Sequence, residues 1–161
     1  MTPEVPARAA ELIATLGLAP HPEGGWYREL FRSAATVQTG DGRGARPALT
    51  TIDFLLARGQ CSAWHRVRSD EVWHLLEGGP LRLWLWQPGQ EDVQHVDLVA
   101  GMRRHVVAAD VWQAAEPLAD YAYVGATVGP GFDFADFAFG RDGAALRAAL
   151  ERHAPELRRL L

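Results

Sequence analysis

Two side chains that could exchange protons lie close together in one short stretch of the chain. His65 and Glu71 both fall within the run from Gly59 to Gly78. An imidazole titrates near neutral pH and therefore suits general acid or base catalysis. A carboxylate in an apolar stretch needs a hydrogen bond, an ion pair or a metal ion if it is buried. The two residues therefore indicate either proton transfer or metal binding.

The elements that must position these side chains are predicted from hydrophobic periodicity. Ala7 to Leu16 has apolar residues at helical spacing and stops at Gly17, which predicts an N-terminal amphipathic helix. Short apolar or alternating runs, broken by Gly, Pro and Asp, fill residues 49–139 and are typical of an antiparallel barrel or sandwich. Helical spacing returns from Ala144 to Leu161, with an interruption at Pro155.

The chain has no internal repeat and no linker that would separate two domains. We therefore predict a single all-β domain over residues 1–161, with the barrel at about 26–140 and terminal helices at about 7–17 and 143–161. Leu81, Leu83 and Leu85 alternate with equally large side chains, so both faces of that strand are expected to be buried. One of these faces is expected to meet a second subunit in a homodimer.

Composition excludes several classes of function. The net charge is −4, and the sixteen cationic residues are all Arg and are scattered, which argues against a nucleic-acid partner. The absence of Lys excludes Schiff-base chemistry and a lysine-dependent phosphate loop. No apolar run is long enough to span a membrane, and the first residues lack a signal-peptide pattern. A cytoplasmic protein is expected, and the lone Cys61 is compatible with a reducing compartment.

The run from Gly59 to Gly78 resembles the first metal-binding motif of the cupins. That motif is a Gly, five residues, His-x-His, three or four residues, Glu, six residues and Gly. Further phrases resemble the fifth cupin family, a group of small single-domain cupins. These phrases are His21-Pro-Glu-Gly-Gly-Trp-Tyr27, Thr51 to Leu56, Ser62-Ala-Trp-His65-Arg66, Ser69-Asp-Glu-Val-Trp-His74, Trp112-Gln113, Asp120-Tyr121 and Gly131-Phe-Asp-Phe-Ala-Asp-Phe137.

The resemblance covers residues 9 to 139 and implies a jelly-roll barrel with a central pocket, commonly as a homodimer. It also implies a structural relation to dTDP-sugar 3,5-epimerases, in which a His at the place of His65 abstracts a proton next to a carbonyl group. It does not imply one reaction, because fold and function separate easily in this superfamily.

The resemblance fails at two metal-ligand positions. Val67 stands where the second His of the motif belongs and cannot ligate, and Gln113 replaces the His of the second cupin motif. One imidazole, one carboxylate and one amide should bind transition metals much less tightly than three histidines and a glutamate. We therefore expect no obligatory cofactor, with a weakly bound divalent ion at His65, Glu71 and Gln113 as the alternative.

Other residues could complete the site. Gln113 could orient a ligand, Tyr121 could act as a general acid or fill the core, and Trp73 and Trp112 could wall a ring-shaped ligand or serve packing alone. Glu23 could fold over the pocket mouth or cap its own turn.

Two residues depend on strand register. Asp53 departs from the aromatic residue usual in the family and could face inward as a pocket acid or outward into water. His74 is expected to miss the pocket if Glu71 reaches it, because neighbouring residues on a strand point to opposite faces.

The sequence thus predicts a small-molecule-binding cupin that performs acid/base chemistry without a metal, as an isomerase, epimerase or lyase. His65 would be the base and Tyr121 or water the acid. Glu71 would belong to the same catalytic set and, with Gln113, would hold the substrate, a polar compound with a carbonyl group. A metal-dependent oxygenase or lyase and a non-catalytic ligand-binding module are the alternatives.

Overall fold

A computed structural model describes residues 4–161. Two α-helices flank the strands: α1 (Ala7–Leu16) and α2 (Ala144–His153). The strands are β1 (Ala19–Pro20), β2 (Trp26–Arg32), β3 (Thr36–Gln38), β4 (Ala45–Pro47), β5 (Thr50–Ala57), β6 (Ser62–Val67), β7 (Asp70–Gly78), β8 (Leu81–Trp86), β9 (Gln94–Leu98), β10 (Arg104–Val107), β11 (Trp112–Pro117), β12 (Tyr121–Gly129) and β13 (Phe137–Phe139). Short 3₁₀ helices lie at Phe134–Asp136, Gly140–Asp142 and Pro155–Leu160.

Two antiparallel sheets face each other and enclose the core. The six-stranded sheet has the order β1-β2-β5-β12-β7-β10, and the five-stranded sheet has the order β13-β6-β11-β8-β9. Strands β3 and β4 form a separate hairpin. Strand β6 belongs to the five-stranded sheet and β7 to the six-stranded sheet, so the motif residues on these two strands lie on opposite sheets.

The interior between the sheets is packed at one end and open at the other. Because side chains alternate along a strand, every second residue of β5 and β12 points inward. Phe54 and Val124 belong to the packed core, whereas Ile52 and Val128, further along the same two strands, line a cavity. The cavity therefore continues the core layer where the inward side chains become smaller or polar.

The two helices cover the outer faces of the sheets. Leu12 on α1 packs on Leu55 of the six-stranded sheet, and Leu146 on α2 packs on the five-stranded sheet beside Trp64. Helix α1 ends at Gly17, whose left-handed φ of 64° suits glycine. Helix α2 is interrupted before Pro155, where the sequence predicts the break. None of the helices within residues 4–161 has the length and apolar character that crossing a bilayer requires.

The loop that follows β12 is anchored by buried charge. Asp136 accepts hydrogen bonds from Arg43 and Arg46, both of which lie on or beside the β3–β4 hairpin. The Asp136 side chain is only 2% exposed, so these guanidinium groups supply the charge that its burial requires. The anchor fixes the segment that carries Phe132, Phe134 and Phe137 to the mouth of the cavity.

Candidate active site

The cavity at the open end of the barrel has a volume of about 310 Å³. Its polar lining comes from both sheets and from the turn before β2, and its mouth is walled by aromatic rings. The lining residues that carry the chemistry are His21, Glu23, Tyr27, His65, Glu71 and Phe137. A volume of this size is at the lower end of the range for small-molecule sites, so it suits a compact metabolite.

His65 projects from β6 into this cavity and is held at one ring nitrogen. Its Nδ1 lies 2.7 Å from the carbonyl oxygen of Ala63, and a carbonyl can only accept, so Nδ1 carries a proton. Glu23 Oε2 lies 3.0 Å from the same Nδ1 but off the line of the N–H bond, so it contacts the ring as an ion pair. The ring stacks on Phe137, with 5.4 Å between the centroids.

Glu71 faces His65 from the opposite sheet. Gln113 Nε2 donates to Glu71 Oε2 at 2.6 Å, and Trp73 Nε1 donates to Gln113 Oε1 at 2.8 Å. This chain of hydrogen bonds crosses the interior from β11 to β7 and closes the cavity floor. Glu71 is the member of the chain that lines the cavity, while Gln113 and Trp73 lie behind it.

The protonation states follow from burial and from neighbouring charges. Burial lowers the pKa of His65, but the negative charges of Glu23 and Glu71 outweigh it and raise that pKa to about 9. Burial raises the pKa of Glu71 to about 7, reinforced by the negative charge of Glu23 and opposed by His65. Burial also acts to raise the pKa of Glu23, but the attraction of His65 holds it below its usual value. At neutral pH, His65 is therefore an imidazolium and Glu71 exchanges its proton readily.

The turn before β2 delivers His21 and Glu23 to the cavity. The Ala63 N–H donates to the Glu23 carbonyl oxygen at 2.8 Å, which fastens this turn to β6. Gly24 has a φ of 107°, and a Cβ atom there would overlap the carbonyl oxygen of Cys61. The Gly-Gly pair is therefore required for the close approach that brings Glu23 against His65.

Sequence reasoning placed Glu23 at the mouth or in a local cap, and it missed His21. Glu23 is instead buried beside His65, where Ser62 Oγ also donates to its Oε1 at 2.9 Å. His21 lines the same cavity, with its ring edge-on to Tyr27 at 4.5 Å. His21 could have been found from the sequence, because it lies beside Glu23 in the phrase from His21 to Tyr27 that resembles the fifth cupin family.

Two predicted site residues lie outside the cavity. Tyr121 donates its hydroxyl to Glu77 at 2.8 Å beside Arg8 of α1, so the expectation that it serves as the acid of this pocket is wrong. Asp53 points to the outer face of β5, where Arg28 and Tyr123 bind its two carboxylate oxygens. It is therefore neither a pocket acid nor a hydrated surface residue.

The tryptophans do not wall the cavity either. Trp112 packs on the outer side of the five-stranded sheet against the helical cluster around Leu146, with the Arg66 guanidinium 4.9 Å from its ring centroid. Trp73 is 2% exposed and belongs to the core, where it meets Phe54 edge-on. Gln113 is likewise behind the lining, so it orients Glu71 instead of contacting a ligand. His74 is on the outer face of β7, across from Gly125.

The family model described as "Cupin superfamily (DUF985)" matches residues 10–140. The chain is a member of this cupin family. The predicted family and jelly-roll fold are therefore confirmed. No curated protein shows a detectable match to the chain.

Two solved structures match nearly the whole chain, and a third shares its fold over most of its length. A hypothetical protein from Leishmania major is 30% identical with a TM-score of 0.82, and the match covers 94% of this chain and 97% of that one. A protein from Shewanella oneidensis is 28% identical with a TM-score of 0.75, covering 94% and 96%. Oxalate decarboxylase from Bacillus subtilis shares the fold at 14% identity and a TM-score of 0.57, covering 88% of this chain and 36% of that chain.

The donor set of this cupin does not fit a tightly held metal ion. Val67 lines the cavity where the motif would place a second imidazole. The Gln113 amide oxygen, which would have to ligate, accepts from the Trp73 indole instead. Residues 4–161 contain no group of three or more His, Cys, Asp or Glu side chains arranged to hold a metal. His65 and one oxygen of Glu71 are too few ligands for strong binding of a divalent ion, and His21, the other imidazole of the cavity, does not form a metal-holding group of three with them.

Proposed function

We propose that this cupin is an acid/base enzyme that works without a metal on a polar small molecule, moving a proton at a carbon next to a carbonyl group. Isomerisation, epimerisation and elimination all begin with this step. The observation that carries the proposal is the placement of His65 and Glu71 on opposite sheets, both lining one cavity.

The two side chains have complementary protonation states. A carboxylate with a pKa of about 7 is half ionised near neutral pH and suits the role of base. An imidazolium with a pKa of about 9 keeps its proton and suits the role of acid or electrophile. We therefore assign the base role to Glu71 and the acid role to His65, which reverses the role that the sequence suggested for His65.

Glu23 is a positioning residue in this scheme. Its carboxylate and the Ala63 carbonyl oxygen hold Nδ1 of His65, so the other ring nitrogen is left for the cavity. Phe137 stacks on the same ring and fixes its plane. The imidazole ring thus has a fixed orientation, with Nδ1 protonated, before a ligand binds. This reduces the cost of reorganisation during the reaction.

The experiment is proton exchange in deuterium oxide. A panel of free hydroxyaldehydes and hydroxyketones, from dihydroxyacetone to the hexoses, is incubated with the protein, and loss of the proton next to the carbonyl is followed by NMR. We expect exchange that falls by about 10²- to 10⁴-fold in His65→Ala and in Glu71→Gln. His95→Ala and Glu91→Gln are matched controls, because both residues are exposed and outside the cavity.

Two results would contradict this function. Exchange that survives unchanged in both site variants would remove His65 and Glu71 from the chemistry. A panel compound that raises the melting temperature of the protein but keeps all of its protons would identify a ligand-binding module instead of an enzyme. The homodimer and the cytoplasmic location expected from the sequence stay predictions.

A further inference from the structure

Glu23 lies between two histidines and contacts the same nitrogen of each. Its Oε2 is 3.0 Å from Nδ1 of His65, and its Oε1 is 3.7 Å from Nδ1 of His21. Its backbone N–H donates to Nδ1 of His21 at 3.1 Å. One residue therefore contacts both rings, through its carboxylate on one side and its main chain on the other.

These contacts fix the protonation of Nδ1 differently in the two rings. Nδ1 of His21 accepts from a backbone N–H, so this atom has no proton and Nε2 must carry it. Nδ1 of His65 donates to the Ala63 carbonyl oxygen, so this atom always carries a proton. Burial lowers the pKa of His21; the negative charge of Glu23 opposes this effect and the positive charge of His65 adds to it. His21 is thus a neutral donor at Nε2 at neutral pH.

The Nε2 edges of both rings are available to a ligand. No group within residues 4–161 forms a hydrogen bond to either Nε2 atom. Neither atom is fully buried, because a buried atom without a hydrogen-bond partner would belong to the set that contains only Glu23 Oε2 and Trp26 Nε1 among the described residues. Both rings line the cavity. Across it, Gln113 engages only Oε2 of Glu71, which leaves Oε1 for a ligand.

We propose that His21 and His65 form a two-imidazole site for the carbonyl oxygen of an uncharged hydroxycarbonyl compound, with Glu71 removing the proton from the adjacent carbon. This inference rests on the proposed function and adds to it a second oxygen-binding residue and a substrate class. The Glu71 carboxylate takes the proton, and the electrons of the C–H bond form a carbon–carbon double bond. The carbonyl oxygen becomes an enolate oxygen, which accepts from Nε2–H of both rings until a proton returns to carbon.

The charges at the cavity mouth argue for an uncharged substrate. Apart from the histidines, Arg32 is the one cationic residue among the described lining residues. Its guanidinium already donates to the Glu29 carboxylate and to the Phe132 carbonyl oxygen. Glu29 and Asp133 also line the mouth and are acidic. A phosphate or nucleotide diphosphate would meet these carboxylates without a free guanidinium to bind it. Free sugars and small hydroxyketones carry no such charge, and their C–H faces can pack on Phe137.

The first test reads the tautomers directly and needs no turnover. Long-range proton–nitrogen NMR of protein labelled with nitrogen-15 at histidine should show His21 protonated at Nε2 alone from about pH 6 to pH 9. It should show His65 protonated at Nδ1 throughout. A His21 ring protonated at Nδ1, or one that titrates near its ordinary pKa, would overturn the proposal.

The second test uses a matched pair of probes. Dihydroxyacetone should shift the Nε2 signals of both rings, whereas dihydroxyacetone phosphate should bind at least tenfold more weakly. Equal or tighter binding of the phosphate would overturn the assignment of an uncharged substrate. An absence of any shift at His21 with dihydroxyacetone, together with shifts at His65, would overturn the two-imidazole site.

The third test separates this inference from the proposed function. His21→Phe keeps an aromatic ring against Tyr27 and Phe54 but removes the donor, so kcat for proton exchange should fall by about 10²-fold with a smaller change in KM. His21→Gln retains an N–H near the Nε2 position and should recover part of the rate. Wild-type kcat in His21→Phe, with exchange still dependent on His65 and Glu71, would remove His21 and leave the proposed function intact. Loss of exchange dependence on His65 and Glu71 would remove the proposed function itself.

Discussion

Gln113 donates its amide to Glu71 across the barrel, at 2.6 Å between Nε2 and Oε2. The two residues lie on facing sheets, so this bond joins the sheets at the depth where the core gives way to the cavity. Gln113 is itself fixed by the Trp73 indole, so the amide cannot turn its oxygen to Glu71. Glu71 is therefore held in place by a neutral donor, while burial raises its pKa and keeps its carboxyl group easy to protonate.

Glu71→Gln should stabilise the protein at alkaline pH. Burial raises the pKa of Glu71 to about 7 in the folded state, above its value in the unfolded chain. Ionisation of Glu71 therefore lowers the free energy of unfolding, and this loss is absent only below the unfolded pKa. The cost grows as pH rises from about 4.5 through about 7. The amide variant avoids it, so its free energy of unfolding should exceed that of the wild type by about 3 kcal/mol at pH 8.

Urea denaturation of both proteins at pH 5 and pH 8 measures this difference. At pH 5 the two curves should nearly coincide, because the wild-type carboxyl is protonated there in the folded state. Glu91→Gln provides the control, since Glu91 is exposed and its loss should not change the pH dependence. A destabilised Glu71→Gln protein at pH 8 would contradict the buried, easily protonated carboxyl.

Glu23→Gln should lower the pKa of His65 sharply. Burial alone lowers this pKa, and the groups that raise it are the carboxylates of Glu23 and Glu71 and the Ala63 carbonyl oxygen. His21, the other titratable neighbour, is neutral. Removal of the Glu23 charge should bring the pKa of His65 from about 9 to near or below its ordinary value, and proton exchange at neutral pH should fall at least tenfold.

NMR titration of the His65 ring protons checks this effect. His95 is the internal control, because it is exposed on β9 and is not among the cavity-lining residues, so its ring signals should not differ between the two proteins. An unchanged pKa of His65 in Glu23→Gln would show that the ion pair does not govern the ring. A rate that falls while the pKa stays constant would assign Glu23 to another role.

How far the sequence predicts this site depends on whether local spacing or long-range packing sets each position. His65 and Glu71 are correctly placed by the motif, because strand alternation is a local property. Tyr121 and Trp112 could not be placed, because their surroundings depend on which sheet faces are covered by α1 and α2. His21 and Glu23 reach the cavity only because a tight turn is fastened to β6 at Ala63, a contact between distant segments.

The fold itself was predictable for similar reasons. The alternating runs and the turn residues between them give the strands, and helical spacing gives α1 and α2. The order of strands in the two sheets cannot be read from these patterns, because β5 pairs with β12 and β6 with β11 across long stretches of chain. The resemblance to the fifth cupin family supplied the expectation of a jelly roll, and the match to the family model confirms the family.

Proton exchange should have a bell-shaped dependence on pH. The rate should rise as Glu71 ionises near pH 7 and fall as His65 loses its proton near pH 9. Glu23 and His21 also face these groups, but Glu23 stays ionised and His21 stays neutral over this range. Because Glu71 and His65 interact, the two apparent values belong to the pair.

The profile of kcat for dihydroxyacetone, or for the best substrate of the panel, measures both limbs. Glu23→Gln should move the alkaline limb to lower pH, since the His65 proton is then held less tightly. Replacement of an exposed acid, as in Glu91→Gln, should leave the profile where it is. A rate that declines steadily from pH 6 to pH 9 would exclude Glu71 as the base.

Asp53→Ala should destabilise the fold without affecting the chemistry. The Asp53 side chain is 6% exposed and binds Arg28 and Tyr123, while Arg28 also donates to the Leu16 carbonyl oxygen at the end of α1. Removing the carboxylate leaves a tyrosine hydroxyl and a half-exposed guanidinium without their acceptor, at a cost of about 1–3 kcal/mol. Thermal unfolding measures the loss, and the exchange rate per folded molecule should stay within twofold. A large drop in that rate would return Asp53 to the site.

Val67→His should create a tight metal site in the cavity. Val67 lines the cavity two residues after His65 on β6, so an imidazole there would share its face and approach the same point as His65 and Glu71. His21 and His65 form no metal-holding group of three with Glu71, whereas two imidazoles on one face of β6, together with the Glu71 carboxylate, satisfy the usual requirements of Zn²⁺ or Ni²⁺. Calorimetric titration should show stoichiometric binding at least a hundredfold tighter than in the wild type, and elemental analysis should find the metal in the purified variant.

Val67→Ala opens the cavity without adding a ligand and should bind the metal as weakly as the wild type does. Stoichiometric metal in wild-type protein, lost in His65→Ala, would instead establish a native ion held by His65 and Glu71.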